Sequence, residues 1–180
     1  MRTIAACWVA AACLFASARG DDTLPRLDDF AGHKATVLVF LGTECPVSNG
    51  YAPELERLHQ RYKGRDVVFC GIHCEPDVSL EKAKRHAQEY GLTFRLALDH
   101  EQRVAKAAGV RIMPTAVVLG KDGQLLYRGR IDNRYSEKGQ RRPEATTHDL
   151  DVAIAAVLAG KRPAVPVTEP FGCPLPKISR

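Results

Sequence analysis

Residues 36–41 read Thr-Val-Leu-Val-Phe-Leu and residues 67–72 read Val-Val-Phe-Cys-Gly-Ile, two nearly unbroken apolar stretches rich in β-branched side chains. A strand that does not alternate with polar residues is covered on both faces, which is the pattern of a parallel sheet. Parallel neighbours need a crossover between them, usually a helix. The sequence supplies one: Val47, Tyr51, Leu55, Leu58 and Tyr62 fall on one helical face directly after the first run. Pro46 suits its first turn, Pro53 should kink it, and Gly64 is placed to stop it.

The same logic reads the rest of the chain. Ser79 can cap a helix with Leu80, Ala83, Ala87 and Tyr90 on one face. Residues 96–98 are apolar but too short to assign. Residues 101–108 read as a short helix ended by Gly109. Residues 115–119 and 125–128 are strands joined by the turn Lys121-Asp122-Gly123. Residues 132–146 are polar and read as a loop. Leu150, Ile154, Val157 and Leu158 mark a last helix ended by Gly160. Beyond it Pro163, Pro166, Pro170, Pro174 and Pro176 forbid regular structure, so residues 161–180 are expected to form an extended tail. The expected fold is α/β: one domain over residues 19–160, a central mixed sheet flanked by helices.

The first residues are read differently. Arg2 precedes the apolar run 4–15, and Ala16-Ser17-Ala18 has the small-x-small form that signal peptidase accepts. Residues 1–18 are therefore expected to be a secretory signal peptide, too short to stay as a membrane span. The mature protein would be exported, periplasmic or extracellular. Its removal takes away only Arg2 from a formal net charge of +5. That mild balance bears on solubility, and export leaves nucleic acid out as a partner. Residues 21–34 are a lead-in with Leu24, Leu27 and Phe30 as packing residues. Of six cysteines, Cys7 and Cys13 leave with the signal, and Cys45, Cys70, Cys74 and Cys173 remain. They sit in a compartment where disulfides persist, and their spacing alone selects no pairing.

Cys45 ends a strand and opens a helix. Open α/β sheets carry functional groups at the carboxyl ends of their strands. The unpaired amides of a helix start favour thiolate over thiol, and thiolate is the reactive species.

The segment Val-Leu-Val-Phe-Leu-Gly-Thr-Glu-Cys-Pro-Val-Ser-Asn-Gly-Tyr-Ala-Pro-Glu-Leu resembles the active-site strand, loop and helix of the thioredoxin-like superfamily. Cys45-Pro46-Val47-Ser48 stands where that superfamily has C-x-x-C. Pro53 matches its helix proline, and Arg111-Ile112-Met113-Pro114-Thr115 resembles its cis-proline loop. The segment GQLLYRGRID resembles its edge strand, and the features run in order over residues 27–160. Within the superfamily the chain is similar to redoxin-domain proteins of the alkyl hydroperoxide reductase/thiol-specific antioxidant branch.

The resemblance implies that Cys45 is a nucleophile acting on protein disulfides or thiols. It also implies that the Met113–Pro114 bond is cis, and that Pro114 stands beside the cysteine and helps hold a substrate chain. Ser48 replaces the second cysteine, so a mixed disulfide needs another thiol to resolve it. Cys173, in a tail free to swing, is one candidate. Cys74, at the same sheet edge if the two strands are parallel neighbours, is another. An external thiol from a membrane or periplasmic electron donor is the third. Cys70 should be buried mid-strand.

Glu44 directly before Cys45 should oppose its ionisation. Gly42 occupies the position where peroxiredoxins carry Thr or Ser, with Thr43 one residue late. Two further functions stay open: thiol peroxidase chemistry on peroxide through a Cys45 sulfenic acid, and a non-catalytic binding module or metal carrier. Cys45, His73 and Cys74 lack the copper-carrier spacing, and Cys70-x-x-x-Cys74 lies on the wrong strand, so no metal and no cofactor is expected. His100 and His148 read as surface residues. Arg128, Arg130, Arg134, Lys138, Arg141 and Arg142 read as a solvated basic loop or a docking surface for an acidic partner.

Overall fold

Strand β1 (Ala35–Leu41) is buried along its whole length, and its alternate side chains enter two different cores. The computed structural model describes residues 27–135 and 140–178. The expected signal peptide with Cys7 and Cys13, together with Leu24, the side chain of Leu27, and Lys138, lies outside the described residues. Val37, Val39 and Leu41 pack against Tyr51, Leu55 and Leu58 of helix α1 (Pro46–Tyr62) and Leu150 and Ile154 of helix α4 (Asp149–Leu158). Leu38 and Phe40 pack with Val104, Ala105 and Ala108 of helix α3 (Arg103–Ala108). A sheet sandwiched in this way must be apolar on both sides, which is why the run in the sequence is continuous. Each such fully buried side chain contributes about 1.5–3 kcal/mol.

The chain forms one domain. Its sheet runs β3-β2-β1-β5-β6, with β2 (Val67–His73), β3 (Arg95–Leu98), β5 (Thr115–Gly120) and β6 (Leu125–Gly129). β1, β2 and β3 are parallel; β5 and β6 are antiparallel additions. Leu41 is level with His73, so the loops after β1 and β2 leave the same sheet edge. α1 runs on through Pro53 to Tyr62, with Tyr51, Leu55, Leu58 and Tyr62 of the expected face buried and Val47 partly so. Ser79 caps helix α2 (Leu80–Glu89), its side chain accepting from the Lys82 amide. Asp99 accepts from the Val104 and Ala105 amides at 3.2 and 2.9 Å and so caps α3.

One segment the sequence left open is settled, and two expectations need correction. Residues 95–98 form a parallel edge strand; one side is open, so the residues are only partly buried and give a weak signal. The buried face of α2 carries Ala83, His86 and Ala87, while Leu80 is exposed; His86 Nε2 lies 2.8 Å from Asn49 Oδ1 of α1. The tail forms regular structure after all. Cys173–Pro174 is a strand, β7, antiparallel to β4 (Ile112–Met113), and Val167 bridges Arg128. Its prolines are tolerated because they use carbonyls: the Arg128 amide donates to the Pro166 oxygen at 2.9 Å, and Gln102 Nε2 to the Pro176 oxygen at 2.7 Å.

Candidate active site

The strand-to-helix turn at 42–45 is held by backbone bonds. The Cys45 amide donates to the Gly42 oxygen at 3.2 Å, and the Asn49 amide donates to the Cys45 oxygen at 3.0 Å, beginning α1. Cys45 itself is the extended N-cap residue, with Pro46 next. The Gly42 amide donates to Ser48 Oγ at 3.2 Å. A side chain at Gly42 would be crowded, since a Cβ there would lie 3.1 Å from Cys45 Cβ and 3.1 Å from Met113 Cε. A Thr at this position, as in a peroxiredoxin, would require Met113 or Cys45 to shift.

Only 4% of Cys45 is exposed. Its thiol donates to the Met113 carbonyl at 3.4 Å. Met113–Pro114 is cis, so the loop singled out by resemblance does reach the cysteine. The paired strand β7 brings the Cys173 thiol alongside. Burial resists ionisation of Cys45. The Cys173 thiol, the Ser48 amide and hydroxyl, and the Val47 amide outweigh it and hold the pKa below the ordinary thiol value. Cys173 moves the other way: burial, then its bond to Cys45 and the charge there, push it up to about 11. Two thiols in contact are thus driven apart in acidity, Cys45 down and Cys173 up.

Ser48 is buried beneath this pair. Its hydroxyl accepts from Gly42 and faces the Cys45 sulfur, so the residue that forbids a C-x-x-C disulfide supports the thiolate. Glu44 does not counter this: its side chain is 86% exposed and lies 3.4 Å from Lys82 Nζ. Cys74 is fully buried, donates to Asp99 Oδ2 at 3.8 Å, and is pushed well above the thiol range by burial and the Asp99 and Glu75 charges. Parallel pairing brings its loop to the right edge, but its side chain turns into the second core. Burial also pushes Cys70 up to about 11.

Sequence reading missed Glu75 and Lys82, and weighed His73 only as a metal ligand. A cavity of about 230 Å³ is lined by Cys45, Glu75, Lys82, Met113, Cys173 and Pro174, among others. Glu75 Oε1 accepts from the Thr43 amide at 2.5 Å and the Thr43 hydroxyl at 3.1 Å. Burial opposes its ionisation, but His73 and Thr43 hold its carboxyl below the usual range. His73 is fully buried, its Nδ1 3.5 Å from Glu75 Oε2. The signal was available in His73-Cys74-Glu75, polar residues at the end of a buried strand.

The basic run is mostly engaged within the molecule: Arg128 with the Gly109 oxygen, Arg130 with Asp149, Arg134 with Asp132, Arg142 with the Asn133 oxygen. His100 Nε2 meets the Val78 oxygen, and His148 is exposed. Ligand atoms of Glu54, Asp132 and His148 lie within 4.8 Å of one another. Arg57 already pairs with Glu54, and Tyr51 with Asp132, which makes this a poor cation site.

A family model described as Redoxin matches residues 10–147. Curated relatives include two proteins named thiol-disulfide oxidoreductase ResA. The one from Geobacillus kaustophilus is 33% identical over 101 residues, 56% of each chain. The one from Halalkalibacterium halodurans is 30% identical over 94 residues, 52% of each chain. The chain spans about half the length of the curated relatives it matches. Among solved structures, an uncharacterized conserved protein from Geobacillus kaustophilus aligns with a TM-score of 0.72 at 25% identity, covering 87% of this chain and 88% of that one. A hypothetical protein from Sinorhizobium meliloti 1021 aligns with a TM-score of 0.71 at 25% identity, covering 84% and 88%.

Proposed function

The chain belongs to the redoxin family, and from that premise we propose that it is a thiol–disulfide oxidoreductase with Cys45 as nucleophile and Cys173 as resolving thiol. The observation that carries this is the meeting of the two cysteines in one cavity: the β4–β7 ladder sets Cys173 opposite Met113, whose carbonyl accepts from the Cys45 thiol at 3.4 Å, and their acidities are shifted in opposite directions.

The Cys45 thiolate attacks one sulfur of a substrate disulfide; that S–S bond breaks, and the second substrate sulfur leaves as a thiolate and takes a proton from water. Cys173 then gives up its proton, attacks Cys45 Sγ and expels the first substrate thiol. The substrate is reduced by two electrons, and Cys45 and Cys173 are joined. A dithiol donor outside the protein returns the pair to the reduced state.

The names of the curated relatives support the reaction class, and Gly42, with no hydroxyl to offer, favours exchange over peroxidase chemistry. Export through residues 1–18 belongs to the same proposal and sets the compartment in which the donor must act. Among the described residues no helix is long and apolar enough to cross a membrane.

The test is a non-reducing peptide map of purified protein after one equivalent of a model disulfide, and in parallel after one equivalent of peroxide. A Cys45–Cys173 bond formed faster with the disulfide supports the proposal. A bond elsewhere, an unreacted Cys45, or a faster reaction with peroxide overturns it.

A further inference from the structure

Cys45 is 4% exposed, and the chain's own tail lines the cavity beside it with Cys173, Pro174 and Pro176. The cover is built as a strand. Cys173 is opposite Met113 and Pro174 opposite Ile112. The Leu175 amide donates to the Arg111 oxygen at 2.9 Å, and Gln102 Nε2 donates to the Pro176 oxygen at 2.7 Å. The backbone of Gly172 is seated on the Met113 carbonyl so closely that any Cβ at 172 would be driven into that oxygen. The tail thus places an extended segment, a small residue and then a sulfur on the edge of Arg111–Met113, with the sulfur against Cys45.

We infer that residues 172–175 are a displaceable stand-in for a partner strand: the protein takes an extended polypeptide whose disulfide-bonded cysteine follows a small residue, and takes it in exchange for its own tail. This rests on the exchange reading above and adds the substrate class. The resting strand keeps the nucleophile covered. An incoming chain pairs with Arg111–Met113 as the tail leaves, and its disulfide is attacked by Cys45, one substrate sulfur joining Cys45 and the other leaving as thiolate. When the tail re-pairs it returns Cys173 to Cys45 and competes the partner off the same edge. A wide side chain before the partner's cysteine meets the Met113 oxygen just as it would at 172.

The experiment follows one turnover in the Cys173→Ser chain, which keeps the strand and lacks the resolver. The probes are a peptide copying residues 169–177, its cysteine joined by a disulfide to thionitrobenzoate, the same peptide with valine in place of its glycine, and the small disulfide dithiobis(nitrobenzoate). All three release coloured thionitrobenzoate. The glycine peptide is expected to react about tenfold faster than the valine peptide, the size of effect given by losing one or two ladder bonds. Gly172→Val added to Cys173→Ser should loosen the tail and speed the glycine peptide about tenfold, from the same bond count. One equivalent of colour per chain from the small disulfide shows that this variant keeps Cys70 and Cys74 buried. Equal rates for the two peptides on the Cys173→Ser chain overturn the inference, whatever the second variant does. So does an unchanged peptide rate in a Gly172→Val/Cys173→Ser chain that passes the colour count. Absence of colour from the small disulfide overturns the exchange reading together with this one; reaction with the small disulfide but no discrimination between peptides overturns this one alone.

Discussion

The thiol of Cys45 donates to the carbonyl oxygen of Met113 at 3.4 Å, across 68 positions of sequence. The same Met113 is the residue opposite Cys173 in the two-strand ladder. One loop therefore positions both sulfurs, and the acidity of each depends on the other.

That dependence is measurable as a titration. Alkylation of Cys45 followed against pH should inflect below the ordinary thiol value of about 8.5, because the Cys173 thiol and Ser48 favour its charged form. Cys173→Ser offers a hydroxyl in place of the thiol and shifts the inflection modestly; Cys173→Ala removes the donor and should move it up clearly. In Cys45→Ala the raised Cys173 value should fall from about 11, since two of its three causes are gone. An inflection of Cys45 that ignores Cys173→Ala refutes the coupling.

Ser48→Ala removes the acceptor of the Gly42 amide and the hydroxyl beside Cys45. The buried amide left without a partner costs about 1–2 kcal/mol in chemical denaturation. The Cys45 inflection moves up in the same variant. A stability loss with an unmoved inflection would make Ser48 purely structural.

Glu75→Gln keeps an acceptor for Thr43 but removes the charge beside His73. The Glu75 carboxyl is depressed in the folded protein, so its stabilisation is complete above the unfolded value of about 4.3 and is lost as pH falls through the lower folded value. Wild type should exceed Glu75→Gln by about 1–2 kcal/mol at neutral pH, and the gap should close at pH values below the folded pKa. Urea midpoints at several pH values check this; a gap that widens in acid would contradict the assignment.

Cys74→Ala should leave the Cys45 alkylation profile and single-turnover exchange unchanged, because the Cys74 thiol is turned to Asp99 and held neutral. The cost is about 1 kcal/mol of stability from lost packing and a weak hydrogen bond. A tenfold or greater loss of the second, resolving step in Cys74→Ala would instead make Cys74 the resolver.

Much of the fold was legible before any coordinates, because its information is local. The unbroken apolar run of β1, the three-and-four-residue spacing of Val47, Tyr51, Leu55 and Leu58, the cap at Ser79 and the stop at Gly109 are each set by neighbours a few residues away. The same locality placed Cys45 at a strand end and a helix start.

What the amino-acid sequence determined alone was the class of sheet, the helices that cover it and one cysteine at its edge, where a helix begins. Only the tertiary structure decided which thiol stands beside that sulfur. Cys74 and Cys173 differ neither in type nor in any local pattern that bears on pairing. One is turned into a core by the strand it follows, and the other is carried to Cys45 by a ladder between residues some sixty positions apart. Strand pairing at that range leaves no period in the sequence, and a side chain's direction is fixed only when its neighbours arrive.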